Sequence, residues 1–106
     1  MADLLSGTLE LMILRVLNSG PLHGFGIGER IHLLSKQVLT VEEGSLYPAL
    51  YRMERKRWIK AQWGVSERGR KAKLYVLTKE GTRQLEAERL KWSEMAIAIG
   101  GVLRNA

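Results

Sequence analysis

The chain has 106 residues, of which 45% are hydrophobic and 26% are charged. This length and composition suit one folded domain and argue against a disordered chain. There is no cysteine, which excludes a disulfide framework or a thiolate metal site and fits the cytosol. The apolar N-terminal stretch lacks a basic leader, and no apolar run approaches the ~20 residues of a membrane span. We therefore expect a cytoplasmic protein that does not enter the membrane.

The positive charge is concentrated in one part of the chain. Between Arg52 and Lys73 there are nine basic and two acidic residues, a balance of 9 − 2 = +7, whereas the whole chain carries +6. The remainder therefore sums to −1. A localised positive surface is expected of a nucleic-acid-binding protein. Binding to an anionic membrane would need a basic amphipathic helix, and the last helix of this chain mixes both signs.

Three helices are predicted before this basic region ends. The first spans about residues 6–18, and the second spans about residues 24–34. The third is predicted to start with Ser45 as its N-cap and to end at about Arg57. Its apolar residues recur at i, i+4 and i+7, which indicates one inward stripe. The inward residues are Leu46, Leu50 and Met53, and the outer side carries Tyr47, Pro48, Tyr51, Arg52 and Arg55.

A β-hairpin with a basic tip is predicted next. Residues 58–65 alternate between apolar and polar side chains, residues 66–71 form the turn, and residues 73–77 return as a β-branched and aromatic strand. We expect Trp58 and Trp63 to pack within the hairpin. The basic side chains at its tip are Arg68, Arg70, Lys71 and Lys73.

A long last helix is predicted over about residues 79–102, with Thr78 as its N-cap. Leu85, Trp92 and Ile99 recur every seven residues, yet the preceding elements leave little for this stripe to pack on. A second copy of the chain is the natural partner for it. The predicted units are therefore a winged helix-turn-helix over residues 1–78 and a dimerisation helix over residues 79–106, in a mainly α fold with a β-hairpin.

Four segments together resemble the PadR family of transcriptional regulators. They are LSGTLELMILRVL, PLHGFGI, EEGSLYPALYRMERKRWI and GRKAKLYVLTKEG, and in this order they cover about residues 5–81. The resemblance implies that helix three recognises DNA, that the hairpin is the wing, and that the first and last helices form a homodimer interface. It places Ser45, Tyr47, Pro48 and Arg52 toward DNA and matches Arg70 and Lys71 to the wing. Interface residues would be Leu9, Ile13, Leu85, Trp92 and Ile99.

The chain departs from the family pattern at two informative positions. Arg57 stands where the family usually has glycine after helix three, although arginine tolerates a positive φ poorly. Phe25 stands where the family often has tyrosine, so a hydroxyl contact is lost there.

Several residues have two readings that the sequence leaves open. Ser45 can cap the helix or contact phosphate, and Tyr47 and Tyr51 can pack or present a hydroxyl to phosphate. Trp92 is most simply a dimer-packing residue, and the alternative is that paired Trp92 side chains bind a small aromatic effector. His23 and His32 are nine residues apart without a carboxylate pattern, so we predict no metal, cofactor or catalytic residue.

The sequence therefore predicts a homodimeric, sequence-specific DNA-binding repressor. Helix three, at about residues 45–57, would enter the major groove, and the wing, at about residues 66–73, would contact adjacent backbone. A two-fold dimer predicts a pseudo-palindromic operator with half-sites ~34–36 Å apart. The alternative is a winged-helix module that binds protein and not DNA. We do not expect an enzyme.

Overall fold

The computed structural model describes residues 7–65 and 69–106, which form four α-helices and a three-stranded antiparallel sheet. This arrangement confirms the predicted mainly α fold with a β-hairpin. The helices are α1 (Thr8–Leu17), α2 (Gly24–Leu34), α3 (Glu43–Arg55) and α4 (Lys79–Asn105). The strands are β1 (Leu22–His23), β2 (Ile59–Val65) and β3 (Lys71–Leu77).

One hydrophobic core holds the first three helices against the base of the hairpin. Ile13 of α1, Ile27 of α2 and Met53 of α3 have no exposed surface, and Ile59 of β2 is 1% exposed. These positions lie on the apolar faces that the helical and strand periodicities predict. Burial of the inner stripe of α3 therefore determines which of its side chains face outward.

The sheet contains one strand more than the predicted hairpin. Its order is β1-β3-β2, with Leu22 opposite Tyr75 and His23 opposite Leu74. A strand of two residues is too short to show an alternating pattern, which is why the sequence did not reveal β1. β1 connects the start of α2 to the wing, because it pairs with β3 and its last residue, His23, directly precedes α2.

The start of α3 differs from the prediction that made Ser45 the N-cap. Glu42 is the N-cap, with extended backbone angles, and its carbonyl accepts hydrogen bonds from the amides of Ser45 and Leu46 at 3.0 and 2.9 Å. Ser45 thus lies inside the first turn, and Pro48 occupies the sixth helical position and not the third. The acidic Glu42 and Glu43 lie at the positive end of the helix dipole, which favours them.

The end of α3 contains an arginine in the left-handed backbone region. Arg57 has φ 64°, its amide donates to the carbonyl of Glu54 at 2.9 Å, and the amide of Trp58 donates to the carbonyl of Met53 at 3.1 Å. This pair of bonds is the Schellman motif, which usually places glycine at the left-handed position. The departure at Arg57 therefore changes the residue but keeps the backbone of the cap.

Replacing Arg57 with glycine should stabilise the fold by about 0.5–1 kcal/mol. A left-handed residue with a Cβ costs roughly 1–2 kcal/mol, and part of that gain is offset by the greater freedom of glycine in the unfolded chain. The measurement is urea unfolding of Arg57→Gly beside Arg57→Ala, which removes the same charge but keeps the Cβ. Equal stability of the two variants would contradict the backbone explanation.

The long helix α4 begins on the core and then leaves it. The Thr78 hydroxyl accepts a hydrogen bond from the amide of Gly81 at 2.9 Å, which confirms Thr78 as the cap. Gly81 and Leu85 are buried, and the helix continues without a break through Gly100 and Gly101. The more distal part of α4 exposes six large apolar side chains: Leu90, Trp92, Ile97, Ile99, Val102 and Leu103.

Candidate nucleic-acid interface

The outer face of α3 is polar, aromatic and basic, as the inward stripe predicts. Leu46, Leu50 and Met53 are at most 2% exposed, so the intervening side chains point away from the core. Tyr47 is 43% exposed and Tyr51 is 62% exposed. The residues predicted to face outward are all exposed: Ser45, Tyr47, Pro48, Tyr51, Arg52 and Arg55.

Tyr47 also joins α3 to the start of α2. A Cβ placed on Gly24 would lie 2.8 Å from Tyr47 Cε1 and 2.9 Å from its hydroxyl oxygen, so the ring lies directly against this glycine. Tyr47 is thus half-exposed and half-packed, and its two predicted roles are compatible. Tyr51 is more open, and the Arg55 guanidinium carbon lies 5.8 Å from its ring centroid.

Arg52 is held by an acidic residue from the first helix. Its Nη2 lies 3.2 Å from Glu10 Oε1, and the side chains are 53% and 17% exposed. Part of the Arg52 charge is therefore neutralised within the chain. A guanidinium has five N–H donors in a planar fork, so this one bond leaves donors that can reach a phosphate.

Lys73 is held by an acidic residue of α3. Its Nζ lies 3.2 Å from Glu54 Oε1 on α3 and 5.4 Å from the centroid of the Tyr75 ring. The ammonium therefore joins β3 to α3, and its charge is already compensated by Glu54. Lys73 therefore lies in the corner between the wing and α3, and its predicted contact with DNA remains a proposal because its side chain is 38% exposed.

The same corner shifts two pKa values upward. Burial raises the pKa of the Tyr75 hydroxyl. Burial acts to lower the pKa of Lys73, but the hydrogen bond to Glu54 and the neighbouring negative charges of Tyr75 and Glu54 outweigh it, so that pKa is also raised. Both groups therefore hold their protons more tightly in the folded chain than in the unfolded one.

The fold should lose stability as the pH rises above about 10, near the ordinary pKa values of tyrosine and lysine. In that range the unfolded chain releases protons that Tyr75 and Lys73 retain in the folded chain, so the free energy of unfolding falls. Urea unfolding at about pH 8 and about pH 10.5 measures this decline. Tyr75→Phe should decline less steeply, and equal slopes in the two proteins would contradict the assignment.

The wing presents Arg70 and Lys71 as exposed side chains at the start of β3. Gly69, within the predicted turn, has φ 75°, a conformation that glycine adopts at no steric cost. Arg68, also predicted to contact DNA, lies outside the described residues.

Trp58 is half-buried with the Lys56 ammonium 4.5 Å from its ring, but Trp63 is 68% exposed. The prediction that Trp63 packs within the hairpin is therefore wrong.

The predicted dimer residues fall into two groups. Ile13 has no exposed surface and Leu85 is 4% exposed in the single chain, so neither side chain can reach a partner. We correct both to core residues, because the apolar stripes of α1 and α4 pack against each other within one chain. Leu9 packs partly against the core, whereas Trp92 and Ile99 are 48% and 42% exposed.

The described part of the chain contains neither a metal-binding cluster nor a membrane-spanning helix. Within residues 7–65 and 69–106, no group of three or more histidine or acidic side chains is placed to hold a metal ion. Over the same ranges, none of the helices combines the length and the apolarity that crossing a membrane requires.

Known proteins share both the sequence pattern and the fold. Residues 13–87 match the model of the "Transcriptional regulator PadR-like family". A PadR-like transcriptional regulator from Bacillus cereus is 28% identical, with a TM-score of 0.80 over 98% of this chain and 99% of that one. A transcriptional regulator from Clostridium thermocellum is 24% identical, with a TM-score of 0.84 over 93% and 96% of the two chains.

A third solved structure is Bacillus subtilis PadR in complex with operator DNA. It is 24% identical, with a TM-score of 0.67, and the match covers 76% of this chain and 45% of that one. Taken with the family model, which spans most of the winged helix-turn-helix, these similarities agree with the exposed basic face and the wing. The chain belongs to the PadR-like family of transcriptional regulators.

Proposed function

We propose that the chain is a homodimeric repressor that binds a specific DNA sequence through α3 and the wing. The observation that carries the proposal is the outer face of α3, where exposed tyrosine, serine and arginine side chains lie over a fully buried stripe. The structure of Bacillus subtilis PadR with operator DNA supports a DNA partner for this chain. A cytoplasmic location follows from that partner and is part of the proposal.

In the proposed complex α3 enters the major groove, and the wing lies on adjacent backbone. Arg55, Arg70 and Lys71 would contact phosphates, which position a protein but carry little sequence information. Sequence would be read by the few side chains that reach base edges. Ser45, Tyr47 and Tyr51 are exposed on the face that would approach them.

Dimerisation is proposed from the distal part of α4. It exposes a row of large apolar side chains beyond the last residue that its own core buries, Leu85. Trp92 and Ile99 would pack against the same helix of a second copy, and the proposed boundary of this dimerisation helix is residue 79. A small aromatic effector between paired Trp92 side chains would require this dimer and would be detected as quenching of Trp92 fluorescence.

The test is selection of bound duplexes from a random pool at a stated salt concentration. We expect enrichment of a pseudo-palindrome whose half-sites are ~34–36 Å apart, because a two-fold dimer binds a two-fold site. Enrichment of a single unrepeated half-site would contradict the dimer but not DNA binding. Absence of any enriched or salt-dependent binding would favour the alternative, a winged-helix module that binds protein.

A further inference from the structure

The exposed Trp63 lies on the face of β2 whose first residue, Ile59, is buried in the core. Along β2, Ile59, Ala61, Trp63 and Val65 alternate onto one face, because successive side chains of a strand point to opposite sides. Ile59 is 1% exposed, whereas Trp63 and Val65 are 68% and 73% exposed. At about 3.3 Å per residue, Trp63 lies about 13 Å along the strand from Ile59. The apolar face thus continues beyond the helices that cover its base.

The sheet register shows which side of the wing this face is on. Trp63 is directly opposite Lys73, and Ala61 is opposite Tyr75, so these side chains share one face of the antiparallel pair. Lys73 on that face reaches Glu54 of α3 at 3.2 Å. Trp63 therefore lies on the side of the wing that faces α3, in the corner between the recognition helix and the hairpin.

Basic side chains lie opposite Trp63 and Val65 across the strand pair. Lys71 is directly opposite Val65, and Lys73, which pairs with Glu54, is directly opposite Trp63. An apolar pair beside basic side chains suits a polyanion that also presents apolar surface. The walls of a DNA groove have this character, because deoxyribose rings lie between successive phosphates.

We propose that Trp63 and Val65 are apolar DNA contacts that pack on deoxyriboses of the minor groove beside the major groove that α3 enters. The inference rests on the proposed DNA-binding function and adds two residues that charge alone would not identify. Apolar side chains of other proteins do enter the minor groove, where they wedge between base steps. Burial of a large aromatic ring against the groove wall would add affinity without adding a charge.

The experiment measures affinity for a selected duplex over a series of salt concentrations. Trp63→Ala should bind roughly tenfold more weakly, a loss near the lower end of those measured when an aromatic side chain that stacks on a base is removed from single-strand-binding proteins. The slope of log affinity against log salt should be unchanged, because tryptophan releases no counterions. Trp63→Phe should recover most of the affinity. The matched control is Val38→Ala, which shortens an equally exposed apolar side chain, 78% exposed, outside the wing and α3.

The outcomes separate this inference from the function on which it rests. If the unaltered protein binds DNA and Trp63→Ala binds equally well, the apolar contact is wrong and the DNA-binding function stands. If the unaltered protein binds no DNA, both are overturned. If Trp63→Ala changes the oligomeric state in sedimentation but not the DNA affinity, the face joins copies of the chain, and the inference is again overturned.

Discussion

Replacing Gly81 with alanine should destabilise the fold by about 2–3 kcal/mol, even though alanine is favoured over glycine in a helix by roughly 1 kcal/mol. Gly81 lies in the first turn of α4 and is buried. A Cβ at this position would overlap the carbonyl oxygen of Trp58 and would lie 2.7 Å from Leu77 Cδ1. The steric conflict therefore outweighs the gain in helix propensity.

The conflict is costly because the Trp58 carbonyl cannot move freely. It accepts a hydrogen bond from the amide of Thr78 at 3.0 Å, and it shares the Thr78 hydroxyl, at 2.9 Å, with the carbonyl of Arg57, at 2.7 Å. Thr78 in turn caps α4 through the amide of Gly81. A methyl group would clash with this junction, where the end of α3, the end of β3 and the start of α4 meet.

The matched control lies in the same helix. A Cβ on Gly101 would have no heavy atom within 4 Å, so Gly101→Ala should be neutral or should stabilise the chain by up to about 1 kcal/mol. Urea unfolding of both variants gives the comparison, and circular dichroism reports whether Gly81→Ala folds at all. Opposite signs for one chemical change in one helix are the expected result. A Gly81→Ala variant as stable as the unaltered chain would show that the backbone at this junction shifts at little cost in free energy.

The parts of the fold that depend on local pattern could be predicted from the sequence. The inward stripe of α3 and the alternation of β2 are periodicities of a few residues, and they placed Leu46, Met53 and Ile59 correctly. The conformation at position 57 was left open by the sequence, and the structure gives Arg57 a φ of 64°. The helix start was not predicted because the N-cap, Glu42, makes no side-chain capping bond, whereas Ser45 is a residue type that usually does.

The remainder depends on contacts between residues that are distant in the chain. Nothing near Arg52 or Lys73 in sequence shows that Glu10 and Glu54 pair with them, and these pairs decide how much positive charge is available to DNA. Similarly, the stripe on α4 does not show that Leu85 packs inside its own chain while Trp92 remains exposed. Trp63 was misplaced because β2 extends beyond the helices that cover Ile59.

These ion pairs determine which arginines and lysines give a clear test of DNA binding. Removing Arg52 would leave Glu10, which is 17% exposed, without its partner, so a loss of binding would have two explanations. Lys73 has the same difficulty with Glu54. Arg55, Arg70 and Lys71 are exposed and lie on the outer face of α3 and on the wing. Their exposure on these two elements makes them the set chosen for removing positive charge.

Replacing Arg55, Arg70 and Lys71 together with glutamine should lower DNA affinity by roughly two to three orders of magnitude per bound protomer at ~0.1 M salt. Each phosphate contact contributes about 0.9 to the slope of log affinity against log salt, so the slope should become shallower by about 2.7 per protomer. The measurement is a binding titration over a salt series, with urea unfolding to show that the variant is folded.

The control carries the same change in net charge elsewhere, with Lys79, Arg83 and Arg104 of α4 replaced by glutamine. If binding depends only on overall charge, the two triple variants should weaken equally, and the proposed interface on α3 and the wing would be wrong. If α3 and the wing hold the phosphates, the control should keep nearly the full slope. A protein-binding module would show neither a slope in the unaltered chain nor a difference between the variants. The slope therefore separates a DNA-binding surface from a surface that is only basic.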